Sequence, residues 1–137
     1  MRAVYADSAA RNQTKGNVMI DSNQKKFLVL YLIPASVVEK WSKTDPNERK
    51  AAEEKMRGEW DNWMRAHSKM IVSTDAGGKT KRVTSSGISD TKNDIMLYSI
   101  IEAVSHEAAT KLFENHPHLQ IPQSSIEVME IKPMGGM

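Results

Sequence analysis

A chain of 137 residues with 39% hydrophobic and 26% charged side chains has the size and polarity of one soluble domain, and is too short for two. It has no cysteine, which excludes disulfides, thiolate metal sites, iron–sulfur clusters and cysteine nucleophiles together. The formal net charge of +2 is unevenly placed: residues 1–26 hold five basic and two acidic side chains, whereas residues 27–137 hold fourteen and fifteen.

Residues 1–26 are polar and small, without a sustained apolar period, and read as a disordered or loosely attached tail. Met19 near its end stands as an alternative start. The folded domain is expected over 27–137. It opens on Phe27-Leu28-Val29-Leu30-Tyr31-Leu32-Ile33, a continuous apolar run ending at Pro34, which predicts a strand buried on both faces. Pro34–Thr44 reads as a linker with Trp41 as an edge anchor. Thr44 or Asp45 before Pro46 is a helix start. Ala52, Met56, Trp60, Trp63 and Met64 then recur at helical spacing, predicting one long amphipathic helix to about His67.

Met70–Thr74 predicts a short strand, and Lys79–Thr84 a second strand paired back on it across Gly77-Gly78. Ser85-Ser86-Gly87 is a further turn. Ile95–Val104 reads as a central strand and Ser105 as the cap of a second helix, whose face is Ala108, Ala109, Leu112 and Phe113 and which Pro117 stops. Ser125–Ile131 closes the domain as a strand, with Ile126 and Val128 on one face and Met129 and Ile131 on the other. Strand, long helix, hairpin, strand, helix, strand is an α+β order. It matches the split βαβ, or ferredoxin-like, antiparallel sheet with two helices on one face. The other face is left apolar and open, and dimerisation through it is the expected remedy.

Four segments in register, Asp75-Ala76-Gly77-Gly78-Lys79-Thr80-Lys81, Tyr98-Ser99-Ile100-Ile101-Glu102-Ala103, His116-Pro117-His118-Leu119 and Ile126-Glu127-Val128-Met129-Glu130-Ile131, resemble the YCII-related (DGPF-domain) family. The resemblance covers roughly residues 27–134. It implies the ferredoxin-like dimeric α+β barrel, a homodimer, and the His/Asp active-site pair proposed for some members. Where the family's Asp-Gly-Pro-Phe would stand, the sequence reads Ile88-Ser89-Asp90-Thr91-Lys92.

Gly78-Lys79-Thr80 ends like a phosphate-binding P-loop, but the position five residues before Gly78 is Ser73, not glycine. The Lys-Thr pair also leads into a strand pattern instead of opening a helix. On that strand Lys79, Lys81 and Val83 share one face. Beside Asp75, the two ammonium groups suit the carboxylate or phosphate of a small ligand. The plainer reading is an exposed hairpin edge on which lysine discourages stray strand pairing.

His116-Pro117-His118 places two imidazoles one residue apart, a spacing suited to a general base or a metal ligand. No cysteine is available to complete a metal set, and no metal is assigned. The alternative is a helix C-terminus followed by a proline stop. Asp90 and Asp94 flank the start of the central strand, either as partners for a histidine or as an ordinary polar turn. Tyr98 sits mid-strand, directed to a pocket or to the core. Trp60 and Trp63 are most simply core, with one of them, Trp63, also able to line a cavity between helix and sheet.

The expected function is binding of a small anionic organic molecule in a pocket between sheet and helices, without an organic cofactor. If acid–base chemistry occurs, His116 or His118 moves the proton and Asp75 or Asp90 orients the imidazole or acts with it. Lys79 or Lys81 then stabilises negative charge, with Tyr98 and Trp63 lining the ligand. The alternative is a non-catalytic metabolite-sensing or protein-interaction dimer. The near-neutral charge of 27–137 gives no basic stripe for nucleic acid. No run approaches ~18 apolar residues and the N-terminus has no secretory pattern, so no membrane partner and a cytoplasmic location are expected.

Overall fold

The computed structural model describes residues 24–135; the tail sequence and Met19 lie almost wholly outside that range. Six strands and three helices follow in the order β1 (Lys25–Leu32), α1 (Ala35–Ser42), α2 (Pro46–Ala66), β2 (Ile71–Ala76), β3 (Thr80–Thr84), β4 (Gly87–Thr91), β5 (Ile95–Ala103), α3 (His106–Lys111) and β6 (Ser125–Glu130). A 3-10 turn, Pro117–Gln120, precedes β6. β1 begins at Lys25, two residues inside the stretch assigned to the tail.

Four strands form an antiparallel sheet in the order β2-β5-β1-β6, and β3 and β4 form a separate two-stranded ribbon. The period of two along β1 decides what the sheet buries. Phe27, Val29 and Tyr31 are fully buried, while Leu28, Leu30 and Leu32 between them are only half-buried. The expectation of burial on both faces is therefore corrected: one face carries the core and the other lies open. Ser99, Ile101 and Ala103 of β5 continue the buried face. Trp60 and Trp63 of α2, with Ala108, Ala109, Leu112 and Phe113 of the α3 region, close over it.

Local chemistry sets the helix ends. The Asp45 carboxylate accepts from the backbone N–H groups of Asn47 and Glu48 at 3.0 and 3.1 Å. Pro46 occupies the first turn, where no intrahelical N–H is needed. Ser105 caps α3 through the Ala108 N–H. α3 ends at Lys111, well before Pro117; the chain then turns through Asn115 at φ 63°, a left-handed conformation that asparagine tolerates better than most residues. Two further expectations are corrected. Residues 35–42 form α1 and not a linker. β3 pairs with β4 across Ser85-Ser86, and not with β2.

The open face reads across the strands in rows. Asp75, Tyr98, Leu30 and Glu127 lie side by side, and so do Ser73, Ile100, Leu28 and Met129. Its centre is apolar, with Tyr98 37% and Met129 51% exposed, and carboxylates stand at both edges.

Candidate functional site

The residues singled out by sequence fall into three separate places. Lys79, Lys81 and Asp90 line a groove of about 1020 Å³ between α1, the root of the β3–β4 ribbon and the start of β5. His116, His118 and Trp63 meet inside the core. Asp75 and Tyr98 are neighbours on the open sheet face.

At one end of the groove the chain leaves β2 in close contact with β5. The Gly77 N–H donates to the Met96 carbonyl at 2.8 Å, and a Cβ on Gly77 would stand 3.1 Å from the Ile95 carbonyl oxygen. A side chain there would crowd that oxygen and require the neighbouring backbone to give by a few tenths of an ångström. The floor is supplied by Ile33, Ala35, Val38, Ile95 and Met96. The ribbon side carries the cations Lys79, Lys81 and Lys92, and α1 contributes Glu39. Lys81 Nζ donates to Asp90 Oδ1 at 2.6 Å, with both side chains largely exposed. Among the described residues Lys79 and Lys92 make no ion pair. Asn93 folds its side chain back to accept from the Ile95 N–H. Thr80 opens β3, so Gly78-Lys79-Thr80 does not lead into the helix a P-loop requires.

The histidines are built quite differently. His116 and His118 are each 1% exposed. The His118 backbone N–H donates to His116 Nδ1 at 2.9 Å, which places the His116 proton on Nε2, a buried nitrogen without a hydrogen-bond partner. The ring is walled by Trp60 and Trp63 at centroid distances of 4.5 and 4.4 Å, with Tyr31 and Phe113 at 5.5 and 5.8 Å. Burial, and then the nearby His118 and His67, push its pKa down to about 4. His118 Nε2–H donates to the Leu32 carbonyl at 3.0 Å. Burial lowers its pKa as well, opposed by the Leu32 and Ser125 backbones. Among the described residues no carboxylate bonds to either ring, and no three His, Cys, Asp or Glu side chains gather as a metal set.

Beside the imidazoles runs a chain of hydroxyls. Tyr31 Oη and Ser99 Oγ are 3.0 Å apart, and Ser99 Oγ and Thr74 Oγ1 are 2.7 Å apart. Burial raises the Tyr31 phenol to about 12 in spite of the Ser99 bond.

Asp75 is exposed on edge strand β2, and the Asp90 carboxylate is engaged by Lys81. Sequence reasoning passed over the α1 side of the groove, Val38 and Glu39, because residues 35–42 looked like a linker. The signal was the helical spacing of Val37, Val38 and Trp41. It also passed over Lys92 as a lining residue of the groove, although that residue stands between Asp90 and Asp94 just before β5. Compared with known protein families and with curated proteins, the chain matches none.

Proposed function

We propose that the chain binds a small anionic organic molecule, in the groove between α1 and the β3–β4 ribbon, as a non-catalytic binding protein. The observation that carries this reading is the contrast between the two sites. The groove is open and presents Lys79 and Lys92 without ion-pair partners among the described residues. The histidines are sealed among aromatic rings, out of hydrogen-bond reach of a solvent-borne substrate. Within this reading the sheet order β2-β5-β1-β6, with the ribbon as an insertion, supports the ferredoxin-like class and the YCII-related resemblance. The apolar centre of the open face, Leu28, Leu30, Tyr98, Ile100 and Met129, supports a homodimer formed through it.

Titration of the isotope-labelled full chain with benzoate, octanoate and citrate tests the binding site by amide chemical shifts. Binding in the groove moves residues 77–80 and 90–93 and leaves His116 still. Shifts centred on the 116–120 turn, or no saturable shift with any anion, overturn the assignment. Sedimentation equilibrium tests the dimer: Tyr98→Glu places a carboxylate in the proposed interface and yields a monomer, and a wild-type chain that is already monomeric at ~100 μM removes that part of the reading.

A further inference from the structure

The groove is divided by chemistry, and the division selects among anions. Its floor is aliphatic and sulfur-bearing, from Ile33 and Val38 to Ile95 and Met96. Ile33 is 9% exposed and Val38 37%, so the floor runs from the packed end of the sheet out to the half-open face of α1. The lining lysines all belong to the ribbon root, Lys79 beside Thr80 and Lys92 beside its ladder partner Thr91. Lys81 is tied to Asp90, which leaves Lys79 and Lys92 as the pair that can meet one anionic head. Glu39 of α1 also lines the groove; its carboxylate stands 3.9 Å from Lys43 Nζ with both side chains largely exposed, so it offers no free cation to a second negative charge.

We infer that the ligand class is an amphipathic monocarboxylate, with its carboxylate between Lys79 and Lys92 and its aliphatic or aromatic body on Ile33, Val38, Ile95 and Met96. This rests on the groove being the anion site and narrows what it takes. A purely polar polyanion leaves the floor wetted and finds, among the described lining residues, no third lysine free of an ion pair for its further charges. A neutral amphiphile leaves the two ammonium groups unused, and a cationic one is repelled by them. The ~1020 Å³ volume holds a body of medium length beside ordered water.

Isothermal titration of the full chain with butyrate, hexanoate, octanoate, 1-octanol, octylammonium and citrate is the test. The expected result is affinity rising up to about fourfold per methylene from butyrate to octanoate. Citrate, 1-octanol and octylammonium each bind at least ~10-fold more weakly than octanoate. Lys79→Gln and Lys92→Gln weaken octanoate several-fold and leave 1-octanol unchanged. Val38→Ser weakens octanoate and octanol alike, and an unaltered circular dichroism spectrum certifies each variant as folded. Citrate binding as tightly as octanoate in the groove overturns the amphipathic class and leaves the anion site standing. Octylammonium matching octanoate overturns the assignment of the head group. No binding by any carboxylate overturns both this inference and the groove as an anion site.

Discussion

His116 makes acid the sharpest probe of this fold. In the native state its ring is buried, its Nδ1 is occupied by the His118 N–H, and its Nε2 has no partner. The groups around it, Tyr31 from β1, Trp60 and Trp63 from α2, Phe113, and the two other histidines His118 and His67, include no carboxylate that would welcome a positive ring. Its folded pKa of about 4 lies below the ordinary 6.5. The unfolded chain therefore binds the proton first as pH falls. Stability is fully present above pH 6.5 and is lost progressively from there down to pH 4, where the native ring also takes up its proton. At 1.36 kcal/mol per unit, the separation corresponds to a loss of roughly 3 kcal/mol by pH 4. His118, shifted the same way, adds to it.

The assay is urea unfolding from pH 8 to pH 4, in wild type and in His116→Asn. The asparagine oxygen retains an acceptor for the His118 N–H and cannot be protonated. The wild-type midpoint should fall steeply as pH drops below 6.5 towards 4. The variant, weaker at pH 8 from lost ring packing, should show a much flatter profile there. A wild-type profile flat across that window, or a variant as steep as wild type, refutes the reasoning.

Other substitutions test the remaining supports. Ser99→Ala leaves the buried Tyr31 phenol and Thr74 hydroxyl without their shared partner, and should cost about 1–3 kcal/mol in urea unfolding. Asp45→Ala removes the acceptor of the Asn47 and Glu48 N–H groups and should cost about 1 kcal/mol. Phe27→Ala, at 0% exposure, should cost about 3–5 kcal/mol. Asp90→Asn, by contrast, breaks only a pair whose side chains are 69% and 85% exposed. It should change the unfolding free energy by less than about 1 kcal/mol, and by still less in 1 M salt.

Where sequence reasoning succeeded, one local signal was strong enough to stand alone. The apolar run of β1, the Asp45-Pro46 start and 3.6-residue stripe of α2, and the Ser105 cap of α3 each carry their own physical cause. α1 was missed because Pro34 at its N-cap supplies no side-chain cap and the helix buries little, with Val38 and Trp41 both 37% exposed. β4 was missed because Ser89-Asp90-Thr91 has no apolar alternation, and it is held as a strand only by its ladder to β3. The histidines show a different limit. His-Pro-His looks like the polar end of a helix until Tyr31 from β1 and Trp60 and Trp63 from α2 close around it. That meeting of residues far apart in the chain has no local spelling. Lys81 and Asp90 meet only because β3 pairs with the unforeseen β4, whereas the sequence reading set the lysines beside Asp75 and Asp90 beside a histidine; Asp75 lies on the open sheet face, away from both.

The β3–β4 ribbon shares no ladder with the main sheet, and nearly all its residues are exposed, Val83 and Ile88 to 74% and 71%. Its opening therefore exposes almost no new apolar surface and stands apart from the cooperative unfolding of the body. Amides of residues 81–90 should exchange with solvent long before those of β1 and β5. A protease nick at Ser85-Ser86, or extra residues inserted there, should leave the melting of the body nearly unchanged while dismantling one wall of the groove. Integrity of the fold and integrity of the groove proposed to bind ligand are thus separable properties of this chain, and a sample can retain the first after losing the second.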